Sequence, residues 1–453
     1  MLFSSLSFIF RFLPIFLVIY YIVPMKYKNA ILLIGSICFY TFLDINNLVL
    51  IIVSTSVNCL LGVLIYRAKQ ANRKGKIPFC IGIIYNVSIL LGFKYFLCQM
   101  NQISHLPLGI SFYTFTSLSF LIDTYKERYD IDTNKSNILT YLWMFPQLIS
   151  GPIVRYGDLS QQLEDRSLTV ARFESGLRLF IIGLGYKVII ANPLASLWNE
   201  IQVIGFSSIS TTLAWMGVIT YSLQLYFDFN GYSLMAIGIG EMLGFNLPVN
   251  FAHPYMSRSV SEFWHRWHIT LGLWFRDYIY IPLGGNRKGK PRQFLNLFIV
   301  WILTGIWHGS ELHFVMWGFF LFVLIALEKL CLQQYLRKFK VISRVYLLFV
   351  IGLSWMIFAI GDFNQLVLFF ARLFPVFTKN MAITVRSMDF MELLSIYWPY
   401  LTAGIFLSTP VAMHWYIKNK KNVKCTLILT VVFWFCIYLL VLGSENTFMY
   451  FNF

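Results

Sequence analysis

Two short stretches of this chain carry histidines in settings where a proton could be moved. Residues 301–309 read WILTGIWHG and end an otherwise apolar run on His308. An ionisable side chain in such a run costs about 2.5–3.5 kcal/mol on membrane-insertion scales, so it is read first as functional. Burial favours a neutral imidazole, which can act as a general base toward a hydroxyl. No Ser or Cys beside it forms a nucleophile elbow, which favours direct transfer to an incoming hydroxyl over a covalent enzyme intermediate. The plainer alternative is a histidine bonded to a neighbouring carbonyl. Gly305 and Gly309 flank it and would let a helix or ligand approach closely.

The second stretch, residues 259–282, reads SVSEFWHRWHITLGLWFRDYIYIP. It crowds Trp264, Trp267, Trp274, Phe275 and Tyr278 among Glu262, His265, Arg266, His268, Arg276 and Asp277. At 3.6 residues per turn, Glu262, His265, Arg266 and Arg276 fall roughly on one face, which predicts an amphipathic helix with its rings at a membrane interface. That reading leaves two histidines one turn apart unexplained. His265, His268 and His308 could suggest zinc, but no convincing carboxylate or thiolate set accompanies them, and no metal is expected. Residues 284–290, GGNRKGK, match the outline of a phosphate-binding loop. Pro291 stands where Ser or Thr would hold magnesium, and no buried strand precedes it, so the stretch is read as a basic loop. Gly238, Gly240 and Gly244 are read as helix-packing positions and not as a dinucleotide fingerprint.

The elements that position these residues must be membrane helices. Of 453 residues, 58% are hydrophobic and 12% charged. That is about half the charge of a typical soluble domain and leaves too little polar surface to coat a water-soluble globule. A spanning helix needs about 20 mostly apolar residues. Candidates lie near 5–23, 29–43, 47–66, 78–97, 106–123, 139–154, 177–195, 210–227, 231–245, 294–304, 313–327, 346–360, 396–417 and 426–442. Several are short or broken by Gly and Pro, as re-entrant segments are. The expectation is an all-α integral membrane protein with roughly 11 spans plus re-entrant and amphipathic helices, forming a single domain over 1–453. The apolar N-terminus is read as a retained helix and not as a signal peptide.

The net charge of +16 sits in short loops between apolar runs, a pattern of cytoplasmic membrane loops and not of a nucleic-acid-binding surface. Clusters at 67–76, 287–292, 337–344 and 418–424 would all be cytoplasmic, which puts Met1 outside and Lys26 and Lys28 inside. The turn near His308 then faces away from the cytoplasm or reaches only part-way across. Arg287, Lys288, Lys290 and Arg292 form a dense loop that could attract an anionic donor or could only fix topology. The seven cysteines, mostly within apolar runs and without a CxxC pair, are read as small buried hydrophobes.

At these segments the sequence resembles the membrane-bound O-acyltransferase superfamily, in particular its bacterial alginate O-acetyltransferase-like branch. The stretches that carry the resemblance are residues 1–24, LPLGISFYTF at 106–115, FPQLISGPIVRY at 145–156, LQLYFDFNGYS at 223–233, 262–285, GIWHG at 305–309 and the terminal FMYFNF. The resemblance implies a helical fold around a central tunnel, with a catalytic core at about 105–330. It implies a catalytic role for His308 and a supporting one for His268. Trp264, Trp267, Arg276, Asp277, Trp307, Asp228 and Asn230 would line the tunnel or bind substrate. The charge and topology of Arg287, Lys288, Lys290 and Arg292 make them the expected donor-entry loop. The chain departs from the family's frequent pattern at His265, Leu234 and Asn230, which puts the acceptor or partner surface in doubt.

The expected activity is transfer of an acyl group, most simply acetyl, from cytoplasmic acetyl-CoA toward a hydroxyl of a cell-surface polysaccharide. In this branch an extracytoplasmic protein often completes the transfer, and the setting is a bacterial inner membrane. One rival is a D-alanyl transfer protein of teichoic-acid modification, which the IPLGGNRKG stretch resembles less. Another is a polysaccharide or lipid transporter without chemistry, which would predict broken helices in two related halves, not found here.

Overall fold

The computed structural model describes residues 1–97, 106–129, 134–149, 151–375 and 388–443. Cys98, the terminal FMYFNF and Ser150 of the FPQLISGPIVRY stretch lie outside them. The described residues form helices and no strand. Among the described residues, seven helices are long and apolar enough to cross a membrane: Leu48–Gln70, Lys76–Phe96, Val170–Ile204, Leu312–Lys338, Lys340–Ala359, Asp389–Ser408 and Val423–Val441. Phe8–Ile22 and Phe363–Leu373 are shorter apolar helices. Length and composition select fewer helices than the roughly eleven expected spans. Met25–Leu43, Thr211–Met242 and Gly289–His308 carry more polar residues, and Ile110–Tyr125 is shorter.

Four of the candidate spans take another form. Residues 139–154 are not one helix: Lys135–Trp143 ends, Phe145–Leu148 forms one turn with Pro146 near its start, and residues 151–154 are irregular. Residues 210–227 and 231–245 are instead one helix, Thr211–Met242, of 32 residues. Gly231 removes a side chain there but no backbone hydrogen bond, so the helix continues through it. The candidate at 396–417 is two helices, Asp389–Ser408 and Pro410–Asn419, divided where Pro410 begins the second.

The chain divides into two compact units, Met1–Gly183 with Tyr232–Val249, and Leu184–Gly231 with Asn250–Phe453. The first is knit by polar contacts between helices that would be costly to leave unmade in lipid. Asn58 and Asn86 exchange amide hydrogen bonds of 3.1 and 2.6 Å between Leu48–Gln70 and Lys76–Leu91. Arg166 Nε donates to the Tyr20 hydroxyl at 2.8 Å, which donates to the Leu243 carbonyl at 2.8 Å. A Cβ on Gly238 would strike the Gly176 carbonyl, and one on Gly240 the Leu247 side chain, so both positions serve packing.

The cysteines divide. Cys59, Cys425 and Cys436 are buried, whereas Cys38, Cys80 and Cys331 are exposed on their helices. The expectation that they are buried hydrophobes therefore holds for only part of the set. A small apolar side chain satisfies a lipid-facing position as well as a protein core.

Candidate active site

The second unit holds the histidine-bearing stretches, and their local structure departs from a continuous amphipathic helix. Ser259 opens a helix at Val260–Arg266, its side chain accepting from the Glu262 N–H at 3.0 Å. Glu262 answers by accepting from the Arg258 N–H at 2.9 Å, a variant of the capping box. The helix stops after Arg266. His268 takes a left-handed conformation, φ 44° and ψ 54°, and a second helix, Ile269–Phe275, starts from it. A π-helical turn, Arg276–Tyr280, follows. The expected single face of Glu262, His265, Arg266 and Arg276 is thus divided at residues 267–268.

The break is pinned from outside. The Ile269 N–H donates to the Asn250 carbonyl and the Ala252 N–H to the Arg266 carbonyl, each at 2.9 Å. Backbone groups released by the break are satisfied in this way, as burial demands. The break also sends the two histidines to different places. His265 is exposed, while His268 is 3% exposed. Burial holds the His268 imidazole well below its ordinary pKa, so the ring is neutral.

His308 arrives by another route. It is the last residue of Gly289–His308, which forms a hairpin with Leu312–Leu327. A Cβ on Gly305 would meet the Phe314 carbonyl, one on Gly318 the Trp301 carbonyl, and one on Gly309 the Phe314 ring. The glycines beside His308 therefore serve close helix approach. His308 is 8% exposed and ringed by Trp307, Trp317 and Phe358 at centroid distances of 4.7, 5.1 and 5.1 Å.

Both buried histidines line one cavity of about 410 Å³. Trp264, Trp267, Trp301, Trp317, Trp355 and Phe358 form the aromatic part of its apolar wall together with Phe275. Arg276, Tyr280, Asn286 and Lys329 also reach it. Arg276 is largely exposed and pairs with the buried Asp277 at 2.6 Å. Trp307 packs on both histidine rings, 4.7 Å from His308 and 6.4 Å from His268.

Other expected site residues fall elsewhere. Asp228 forms a buried ion pair with Lys187 at 2.5 Å and does not line this cavity; nor does Asn230. Arg287, Lys288, Lys290 and Arg292 are likewise off its lining, with Arg287, Lys288 and Lys290 exposed and Arg292 Nε donating to the Leu283 carbonyl at 3.2 Å. Sequence reasoning missed Asn250, whose side-chain oxygen faces the His268 Nδ1 at 3.1 Å, and Lys329. It also missed Glu328, whose buried carboxylate accepts from the Val260 and Ser261 N–H groups at 2.6 and 3.1 Å. Ser259 with Glu262 signalled where the helix begins; nothing local signals a partner 18 residues upstream or 68 downstream.

The sequence profile described as MBOAT, membrane-bound O-acyltransferase family, matches residues 117–370. A probable alginate O-acetylase AlgI of Pseudomonas syringae pv. tomato is 39% identical over 377 residues, covering 79% of this chain and 72% of that protein. This chain belongs to the membrane-bound O-acyltransferase family. A peptidoglycan O-acetyltransferase of Helicobacter pylori is 34% identical over 79% of this chain and 77% of its own length. A teichoic acid D-alanyltransferase of Bacillus subtilis is more distant, 27% identical over 62% of this chain and 74% of its own. As a family member the protein is a multi-pass membrane O-acyltransferase, and its apolar helices accord with that.

Proposed function

We propose that this acyltransferase moves an acetyl group from cytoplasmic acetyl-CoA toward a hydroxyl of a cell-surface polysaccharide, with His308 as general base. The observation that carries the reading is the placement of two buried histidines on one aromatic-walled cavity. In the step, His308 takes the hydroxyl proton as the oxygen attacks the thioester carbonyl. The tetrahedral intermediate collapses with loss of the CoA thiolate, which recovers the proton from the imidazolium. The new ester C–O bond replaces the C–S bond, and no oxidant or metal is required. His268 supports this chemistry from the same wall. The acetylase and acetyltransferase names of the more similar relatives favour acetyl over D-alanyl.

The donor's phosphates would meet Arg276 and Lys329, the cations that reach the cavity, with the 287–292 loop adding longer-range attraction. The cationic loops would be cytoplasmic and Met1 extracytoplasmic, in a bacterial inner membrane. The immediate acceptor hydroxyl would belong to the polysaccharide or to an extracytoplasmic partner protein. The test is thiol release from acetyl-CoA by purified protein, with acetyl transfer to alginate oligosaccharides or peptidoglycan fragments. Donor-dependent acetylation lost in His308→Ala supports the reading. Equal turnover in that variant removes His308 from the chemistry.

A further inference from the structure

The side-chain oxygen of Asn250 sits among three donors. It accepts from the Thr270 backbone N–H at 3.3 Å and the Thr270 hydroxyl at 3.0 Å, and it lies 3.1 Å from the His268 Nδ1. A backbone N–H can only donate, so the Asn250 atom facing it is the oxygen and not the NH₂ group. An amide oxygen can only accept. The His268 nitrogen facing it must therefore carry the hydrogen.

From this we infer that Asn250 is a positioning residue that locks His268, a residue of the cavity lining, as the Nδ1–H tautomer, so that Nε2 carries no hydrogen and can only accept a hydrogen bond. The inference rests on the proposed acyl transfer for its catalytic meaning, while the tautomer itself does not. A neutral imidazole with its proton on Nδ1 cannot donate from Nε2. His268 thus cannot serve as an oxyanion donor while neutral. It supports the reaction by accepting a hydrogen bond, either from the acceptor hydroxyl or from a ring N–H of His308. Three features make the lock rigid. The Asn250 backbone is tied to Ile269, the left-handed turn at His268 fixes the ring's base, and Phe229 stands edge-on to the ring at 4.6 Å.

The charged and titratable groups around His268 are few. His308 shares its cavity wall. On its own segment stand His265, the Arg266–Glu262 pair and the Arg276–Asp277 pair. The helix carrying Phe229 brings Asp228, already neutralised by Lys187, and Tyr226. Leu312–Lys338 brings Glu328, engaged by Val260 and Ser261, and Lys329. Trp355 and Phe358 of Lys340–Ala359 add no charge to the cavity.

The direct test is nitrogen NMR on full-length protein labelled with ¹⁵N at histidine, in lipid nanodiscs at neutral pH. The His268 signals are assigned by their loss in His268→Gln. A protonated Nδ1 with an unprotonated Nε2 is expected; the opposite tautomer overturns the inference. This readout does not depend on activity, so it remains decisive if acetyl-CoA proves not to be the donor. The kinetic test uses acetyl-CoA with alginate oligosaccharides between pH 5 and 9. Asn250→Asp keeps an oxygen for all three donors but adds a charge that favours imidazolium. Its acidic limb of kcat should move up by one pH unit or more, a tenfold loss at the low end. Asn250→Ser, too short to reach Nδ1, should lose at least tenfold in kcat with KM for acetyl-CoA changed less than twofold. An unshifted limb in Asn250→Asp, or a Ser variant with wild-type kcat, reduces Asn250 to a structural role. If Asn250→Asp does not fold, the Ser variant and the NMR signature decide.

Discussion

The segment carrying His268 and the segment carrying His308 solve one problem in opposite ways. His268 is delivered by interrupting a helix, and the interruption is held by distant polar groups of Asn250 and Ala252, while Glu328 grips the start of the helix before it. His308 is delivered by ending a helix, and that end is held by glycines that bring two helices into backbone contact. The first route depends on hydrogen bonds with direction, the second on the absence of side-chain volume. A left-handed, non-glycine residue costs roughly 1–3 kcal/mol, which the surrounding contacts must offset, whereas a helix end adds no such strain. The His268 segment should therefore be the more sensitive to polar substitutions, and the His308 segment to bulk.

The largest expected effect separates the two rings. His308→Ala and His308→Gln should both abolish acetyl transfer, since neither side chain takes up a proton near neutral pH, while expression and insertion stay normal. Turnover near wild type in either would remove base catalysis from His308. Next, His268→Ala should lower kcat about 100-fold, the lower range of acid–base contributions. His265→Ala, at an exposed position, should change it little. The reverse ranking would mean that the break at 267–268 does not direct function.

Bulk sharpens the comparison further. Gly305→Val should destabilise the protein by about 1–3 kcal/mol through overpacking against the Phe314 carbonyl, read as a lowered thermal midpoint. A midpoint equal to wild type would show that this approach has slack. A smaller effect concerns acid. The folded pKa of His268 is depressed, so its stability contribution is present above the ordinary pKa of about 6.5 and is lost as pH falls toward the folded value. The thermal midpoint should fall between pH 7 and pH 5, and by less in His268→Gln. Equal falls would place the acid sensitivity elsewhere. The smallest effect belongs to the loop. Replacing Arg287, Lys288, Lys290 and Arg292 by Gln should raise KM for acetyl-CoA and weaken its salt dependence. Arg276→Gln or Lys329→Gln should raise KM more, because those side chains reach the cavity. A loop variant with the greater KM would reverse that order.

Much of this architecture could be read in the sequence because lipid imposes long apolar runs. The His308 hairpin follows from WILTGIWHG and the apolar stretch after it, and His308 is indeed buried at a helix end. The broken segment was not legible. Periodicity places Glu262, His265, Arg266 and Arg276 on one face only if the helix is continuous, and what ends it is a contact with Asn250, outside any helical window. The loop cations were legible as charge, but their distance from the cavity is a tertiary property. Thr211–Met242 misled for the opposite reason: Gly231 reads as punctuation, yet the backbone carries straight through.

The buried pair of Lys187 and Asp228 bears on how the chain enters the membrane. Each lies in a long helix, and each is only 4% exposed in its side chain. A lone charge at a helix centre costs about 2.5–3.5 kcal/mol to insert, and the two signs meet only once both helices have left the ribosome. Val170–Ile204 is thus a helix whose residence in the bilayer is incomplete until the following one arrives. A chain truncated between residues 204 and 228 lacks Asp228, the carboxylate with which Lys187 pairs, whereas one extended beyond 228 carries it.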